Sequence, residues 1–507
     1  VGPNVRKITS GAPEFQVCSG WRCTNAGSKR RTPFRCDLRF DATRGLSTKP
    51  DAPPGAMFVL GRSIAYTCQR FASAATGRDA PESSALEWVR EPQATLRAFF
   101  GDDDSVEYAL VREKDLDASI GENSRLSRLE FEVRSTSKET TAKSSKPRVV
   151  TLVAKRRPAA EPVRRVAALQ AWFRREVLWY AELADAASRR GVLCPRCALA
   201  RYDAWTGGFA VLLEDMAGLE FRDQHEAAVR AVARLHALNA PPAEDDDDKV
   251  VVESEDTATD LSERQGRRPP PSTKSEPPPS SQQSLARTIE RGFPRTPVHV
   301  EAARFVEAYF RDAWTLAVRS TYELDDDVAT LIDALAAEGA YATLLNRLAR
   351  PASGLRPVLV HGDYRPDNLF VDSEGRVRIV DWQFASVASA AYDLAYFATL
   401  ALATPDRRRL EPGLFEAYCD ERRQAGDPDF ADDADWPRRR AAFFGDDLRV
   451  AVLLALASFV IGAATARHHD LHRRSIDRLA RAALDWGCDP TRLLDQQSQK
   501  EDGRKES

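Results

Sequence analysis

Two regimes of apolar patterning alternate along the chain. Leu129 to Val133, Val149 to Ala154 and Val211 to Leu213 are short runs rich in β-branched and apolar residues, bounded by polar or turn-forming positions, and each predicts a strand. Between them the period changes. From Ala168 to Ala187, Phe173, Val177, Tyr180 and Ala181 recur at helical spacing beside Glu176, which predicts a helix that turns Glu176 inward. Val229 to Leu238 has the same amphipathic period. Leu369-Phe370-Val371 and Val377 to Val380 flank Asp372-Ser373-Glu374-Gly375, whose turn formers predict a short hairpin. Val450 to Ala466 is apolar but holds Ser458, Gly462 and Thr465, and at 17 residues it reads as a buried helix rather than a membrane span.

Other stretches lack a period. Pro241 to Gly292 contains Asp245 to Asp248 and two triple-proline runs, and too little apolar surface to offset chain entropy, so a disordered insertion is expected. Residues 1–85 and the charged tail 496–507 are equally unpatterned, and the polar stretch Ser135 to Pro147 is expected to be exposed. About 350 residues then remain for packed structure, a normal domain-pair size. The expected division is an N-terminal lobe over 86–216 and a larger one over 217–495.

Composition removes several function classes. A net charge of −3 provides no basic field for nucleic acid, and no window predicts a membrane partner. Eight cysteines form no disulfide framework, and Cys194-Pro195-Arg196-Cys197 has no second pair to complete a zinc site. His468, His469 and His472 near Asp470 read as an exposed helix end, His225-Glu226-Ala227-Ala228-Val229 lacks the second histidine of a zinc protease, and no Walker A pattern occurs. With no disulfide framework a reduced, cytoplasmic setting is expected, with an organellar one the alternative if the first 50 residues, ten Lys or Arg against three acids, are a transit segment.

The chemistry concentrates in Val360-His361-Gly362-Asp363-Tyr364-Arg365-Pro366-Asp367-Asn368, followed by the hairpin and Val380-Asp381-Trp382-Gln383. The hairpin brings Asn368, at its first strand, close to Asp381, after its second. Two oxygen ligands then meet at one point, as a hard Mg²⁺ ion requires, with ATP phosphates and water completing its shell. Asp363 is free to orient or deprotonate a hydroxyl, and His361 reads as a brace for the loop rather than a proton shuttle.

These residues resemble the aminoglycoside phosphotransferase and choline kinase-like superfamily: His-Gly-Asp in place of His-Arg-Asp, Asp-Trp in place of Asp-Phe-Gly, and Tyr392-Asp393-Leu394-Ala395 close behind. The Asp-Asn-Leu-Phe and Val-Asp-Trp-Gln wording is most similar to the ecdysteroid kinase-like branch. The resemblance implies an α+β, bilobal, protein-kinase-like fold with a small antiparallel-sheet lobe and a larger helical one. It also implies ATP and Mg²⁺, with Asp363 as catalytic aspartate, Asn368 and Asp381 as metal ligands and Asp393 as a buried support of the loop.

Such a fold needs a phosphate-binding lysine held by a glutamate. Lys155 ends a predicted strand and Glu176 follows 21 residues later on the predicted helix. In a chain with 12 lysines and 61 arginines, a lysine here suggests a need for a compact point charge. Ser119 to Leu129 resembles the family's phosphate-covering loop, with Gly121, Ser124 and Ser127 as candidate contacts. Glu214-Asp215-Met216 reads as the connector between lobes, its backbone meeting adenine while its side chains cap the next helix.

The acceptor expected is a small hydroxylated molecule. Only eleven residues separate Asp381 from Asp393, too few for a peptide-shaping activation segment, and Gly362 replaces the arginine that senses activation-loop phosphate. Tyr396, Phe397, Phe415, Tyr418 and the 450–466 helix are expected to wall its pocket. The acidic runs Asp325 to Asp327 and Asp432 to Asp435 are candidates for holding a cationic acceptor, opposed by the neighbouring Arg438 to Arg440. A pseudokinase scaffold is the alternative, and the retention together of Lys155, Glu176, Asp363, Asn368 and Asp381 argues against it.

Overall fold

The computed structural model describes residues 92–116, 124–135, 148–157, 167, 170–203, 208–239, 281–298, 302–464 and 469–489. The leader 1–85, the tail 496–507 and Gly121 lie outside these residues. The chain is α+β, a five-stranded antiparallel sheet followed by a mostly helical lobe.

The sheet is built from β1 (Val106–Asp115), β2 (Arg125–Ser135), β3 (Arg148–Arg156), β4 (Cys197–Asp203) and β5 (Gly208–Glu214), in the order β1-β2-β3-β5-β4. Strand alternation sets its two faces. Leu129, Phe131, Leu152, Ala154 and Leu212 point to one side and are covered by Leu96 of α1 (Pro92–Phe100). Phe209, Val211 and Leu213 point to the other, where they join Phe173 and Trp179 of the helix that follows β3. That is why β5 is apolar at consecutive positions: both of its faces are covered.

The helix after β3, α2, runs from Trp172 to Leu178, widens through Trp179–Leu183 and ends at Ser188. It begins later than the Ala168 expected, and Ala171 ahead of it has φ 56°. The wide turn inserts a residue into the helical period and rotates the buried stripe. Ala181, expected inside, is exposed, while Leu183, Ala184 and Ala187 are buried in its place.

In the second lobe, α3 (His225–His236) buries Val229, Val232 and Leu235. The segment expected to be a disordered insertion ends instead in a helix, α4 (Ser281–Gly292), with Leu285 and Ile289 buried. These two lie four residues apart, one helical turn, and the polar composition around them hid the pair. Helices α5 (Ala303–Asp312), α6 (Asp326–Leu335) and α7 (Ala340–Ala349) lead to β6 (Val358–Val360), which pairs with β9 (Ser386–Ala388). The expected hairpin is β7 (Leu369–Val371) with β8 (Val377–Ile379).

Four further helices follow: α8 (Ala391–Leu400), α9 (Thr404–Gln424), α10 (Trp436–Ala442) and α11 (Leu448–Ala463), with α12 (His469–Asp485) closing the lobe. The apolar helix α11 is buried on nearly every side, as its unbroken run of Val, Leu and Ala requires. Among the described residues no single helix is long and apolar enough to cross a membrane; α6 and α7 pass such a test only as a pair bent by 78°.

Candidate active site

Strand β6 delivers the chain into His361-Gly362-Asp363, and the fold leaves this turn little freedom. Gly362 has φ 85°, and a Cβ placed on it would lie 2.3 Å from the Phe384 carbonyl oxygen. Glycine is required twice over, by the left-handed backbone and by the close approach. Asp393, in the first turn of α8, accepts the backbone N–H groups of His361 at 2.6 Å and Gly362 at 2.9 Å. Its third partner is His236 Nε2 at 3.1 Å, whose other nitrogen meets the Tyr418 hydroxyl at 2.8 Å. Burial lowers the pKa of His236, so the neutral ring with Nε2–H donating suits both contacts.

His361 is fully buried and both its nitrogens are engaged. Nε2 donates to the Val380 carbonyl at 2.8 Å, and Nδ1 accepts the Asp363 N–H at 3.3 Å, an assignment made from these partners. The ring thus links the turn to the strand that leads to Asp381.

Asp363 receives the Asn368 side-chain amide at 2.9 Å, and the same nitrogen also donates to the Asp363 carbonyl at 2.8 Å. With its nitrogen spent, Asn368 has its carbonyl oxygen as the remaining side-chain ligand atom. The Val380 N–H donates to the Asn368 backbone carbonyl at 3.0 Å, which ties the start of the hairpin to its end. Asp381 itself has φ 67°, an uncommon backbone for a residue with a side chain. The oxygen set of Asn368 and Asp381 fits a hard cation only if other oxygens complete it. Among the described residues no three His, Cys, Asp or Glu side chains gather to hold a metal by themselves.

From the sheet side, Lys155 reaches into the same place. Its ammonium lies 2.8 Å from the Glu176 carboxylate and 2.7 Å from that of Asp381. Burial opposes the Lys155 charge, but the two carboxylates together outweigh it and raise its pKa. Burial also raises the pKa of Glu176, against the pull of Lys155 and with the push of Asp381.

Several residues that hold this arrangement were not singled out in the sequence. Trp179 and Trp382 stack with ring centres 3.4 Å apart, and Trp172 meets Phe384 edge-on at 4.9 Å. Buried Arg175 donates to the carbonyls of Gln170 at 2.7 Å and Pro297 at 3.0 Å. The two aromatic pairs fasten α2, and with it Glu176, to the loop after Asp381, while Arg175 ties the same helix to Pro297. The available signal was position: Trp179 is one helical turn from Glu176, and Trp382 is next to Asp381. Arg365 was also missed; it bonds Asp363 at 3.2 Å and Asp367 at 3.0 Å.

The candidate phosphate contacts divide. Ser124 is buried just ahead of β2, but Ser127 does not belong to a phosphate loop. It lies within β2, where its hydroxyl donates to Asp115 at 2.8 Å and accepts from Arg156 at 2.5 Å. The strand begins at Arg125, before the apolar alternation becomes visible. Glu214 and Asp215 do not cap the next helix either. Glu214 takes Arg378 at 3.1 Å across the lobes and the Arg196 N–H at 3.1 Å, while Asp215 pairs with Arg128 at 2.7 Å. Met216 is buried, and its carbonyl accepts the Leu219 N–H at 3.1 Å.

The expected pocket aromatics also divide. Tyr396 packs on Phe459 at 5.9 Å, but Phe415 stacks on Phe444 at 4.7 Å and the Tyr418 hydroxyl is taken by His236 and Arg422, so these two are core. The acidic runs are neutralised in part at the surface: Asp325 pairs with Arg481, Asp433 with Arg439 and Asp435 with Arg438. Cys194 and Cys197 are free thiols that burial pushes up to about 12, which suits packing rather than redox work.

The sequence profile of the phosphotransferase enzyme family (APH) matches residues 140–442. No curated protein shows a significant match to the chain. Solved structures overlap it more distantly. An ethanolamine kinase from Plasmodium vivax is 12% identical, covering 78% of this chain and 84% of its own with a TM-score of 0.37. A choline kinase from Streptococcus pneumoniae is 12% identical, covering 78% and 100% at 0.38. A macrolide 2′-phosphotransferase from Brachybacterium faecium is 15% identical, covering 76% and 95% at 0.32. With a family profile matched across more than half of its length, around the residues that meet at Asp363 and Lys155, this chain belongs to the phosphotransferase enzyme family.

Proposed function

We propose that the protein transfers the γ-phosphate of ATP to a hydroxyl of a small molecule, with Asp363 as the catalytic aspartate. The observation that carries this reading is the convergence of Lys155, Asp381, Asn368 and Asp363 from two lobes, each linked to the next by a hydrogen bond or a chain contact of about 3 Å. Lys155 is the candidate partner of the α and β phosphates, and Glu176 keeps its ammonium in place. Asn368 and Asp381 are the candidate holders of Mg²⁺. When bound there, that ion would neutralise charge on the phosphates.

The chain's own residues then have definite work. Asp363 aims the acceptor hydroxyl: an O–P bond forms to the γ-phosphorus, the bond from that phosphorus to the ADP oxygen breaks, and the hydroxyl proton passes to the Asp363 carboxylate. Because such a transfer proceeds through a loose state, aim and charge matter more than base strength. Arg365 adds a positive charge beside the reacting group. The Asp-Asn-Leu-Phe and Val-Asp-Trp-Gln wording supports the ecdysteroid kinase-like branch as the nearest within the family.

The test is the thermal unfolding shift of the full chain with ATP, with and without Mg²⁺, followed by ADP release across a set of hydroxylated metabolites. A magnesium-dependent rise with acceptor-dependent ADP release supports the proposal. A folded chain that shows no shift, or one that binds ATP and turns over nothing in the set, would move the scaffold reading ahead.

A further inference from the structure

Next to Asp363 a cavity of about 190 Å³ opens between the catalytic loop and the helices α8, α11 and α12. Arg365 and Asp367 line it from the loop, Leu400 and Phe459 from the apolar side, and Arg474 and Arg478 from α12. Arg365 also bonds Asp363 at 3.2 Å, so one side chain separates the cavity from the candidate catalytic carboxylate.

The charges in this cavity are unequal. Its one carboxylate, Asp367, is taken by Arg365 at 3.0 Å. Arg474 and Arg478 stand one helical turn apart, and among the described residues neither has a carboxylate partner. Arg478 donates to the Leu400 carbonyl at 3.0 Å and Arg474 to the Asp470 carbonyl at 3.3 Å. On the next turn of α12, Arg481 pairs with both Asp477 and Asp325. Like charges at this spacing repel. A guanidinium pair without a counter-charge at the rim of a cavity suits an anion, which it can hold through several N–H groups at once.

We infer that the acceptor carries, besides its hydroxyl, a phosphate or carboxylate group held by Arg474 and Arg478, with its carbon skeleton against Phe459 and Leu400. This rests on the phosphotransferase reading above. Arg365 is already spent on Asp363 and Asp367, so amino alcohols and aminoglycosides, being cationic, meet the two guanidiniums of Arg474 and Arg478 with no free carboxylate lining the cavity, and are disfavoured.

The experiment follows ADP release by the full chain with Mg²⁺ and ATP, offered sugar phosphates and hydroxycarboxylic acids in one arm, and choline and aminoglycosides in the other. Turnover confined to the first arm is expected, and its two halves distinguish phosphate from carboxylate. For the best acceptor, the double variant Arg474→Gln/Arg478→Gln should raise KM about ten- to hundredfold with kcat little changed, while Arg474→Lys/Arg478→Lys retains part of the binding. The variant's stability shift with ATP and Mg²⁺ should equal that of the unmodified chain. Preferential turnover of the cationic arm, or an unchanged KM in the glutamine variant, overturns the inference. If the unmodified chain shows no magnesium-dependent shift, the phosphotransferase reading fails by itself. Thermal shifts with the same anionic compounds alone, lost in the glutamine variant, then decide whether the cavity still binds anions.

Discussion

The Lys155 ammonium lies 2.7 Å from the Asp381 carboxylate, joining the end of β3 to a residue two places past β8. Glu176, completely buried, holds the same ammonium at 2.8 Å. Lys155→Met should strand Glu176, and breaking a buried pair in this way costs about 3–5 kcal/mol. The sign with pH follows from the raised pKa of Glu176. Beside Lys155 its pKa stands at about 7, and without the ammonium burial and Asp381 hold it higher still, so the deficit of the variant grows as pH rises through about 7, where Glu176 ionises in the unmodified chain but stays protonated in the variant. Denaturant melts at several pH values, with nucleotide titrations alongside, measure both; a deficit independent of pH would show that Glu176 is not the stranded group.

Asp363 and Asn368 share one hydrogen bond at 2.9 Å but are assigned different work. Asp363→Asn should lower turnover by roughly 10²–10⁴ while ATP affinity stays within a few fold. Asn368→Ala should instead shift the Mg²⁺ dependence of nucleotide binding to higher concentration. Calorimetric titrations beside steady-state rates separate the two, and equal losses of affinity in both variants would contradict the division of roles.

Gly362→Ala combines a strained backbone with a collision against Phe384, and the expected loss is roughly 2–5 kcal/mol. Gly375, in the β7–β8 turn, has φ 75° but nothing within 4 Å of an added Cβ. Gly375→Ala should therefore cost only the backbone part, about 1 kcal/mol. Comparable losses for the two variants in urea melts would refute the role of the close approach.

Asp447, at the head of α11, accepts the Ala352 N–H at 2.6 Å and the Ser353 hydroxyl at 2.5 Å. Burial nonetheless pushes its pKa up to about 6, because these hydrogen bonds offset only part of the desolvation. The folded chain thus binds a proton there that the unfolded chain releases near 3.8, and this group's contribution to stability falls as pH rises through 6. Asp447→Asn lacks that decline. The Tm of the variant minus that of the unmodified chain should climb between about pH 4 and 6 and then level; a flat difference would place the titration elsewhere.

Much of the candidate site was legible because its parts are close along the chain. Asp363, Asn368 and Asp381 sit on one hairpin whose turn residues and β-branched runs are local signals, and Glu176 sits on a periodic helix. Ser127 was misread because the strand that holds it starts before its apolar alternation does, so a position inside the sheet looked like part of a loop. Glu214 and Asp215 were misread for a different reason: an acidic pair before a helix suggests capping, but Arg378 and Arg128 reach them from distant segments. The wide turn in α2 was equally invisible, since nothing in Trp179 to Leu183 announces the extra residue that moves Ala181 outward.

The sequence by itself determined the element types, the chemistry-bearing hairpin, and the lysine and glutamate of the sheet lobe, because hydrophobic period, turn residues and motif spacing act over a few residues. Tertiary structure decided which charge meets which. The contact of Lys155 with Asp381, the stacking of Trp179 on Trp382 and the gathering of Arg365 with Arg474 and Arg478 around one cavity depend on how separate apolar faces dock. Docking is governed by the summed burial of those faces, and no single segment carries that information.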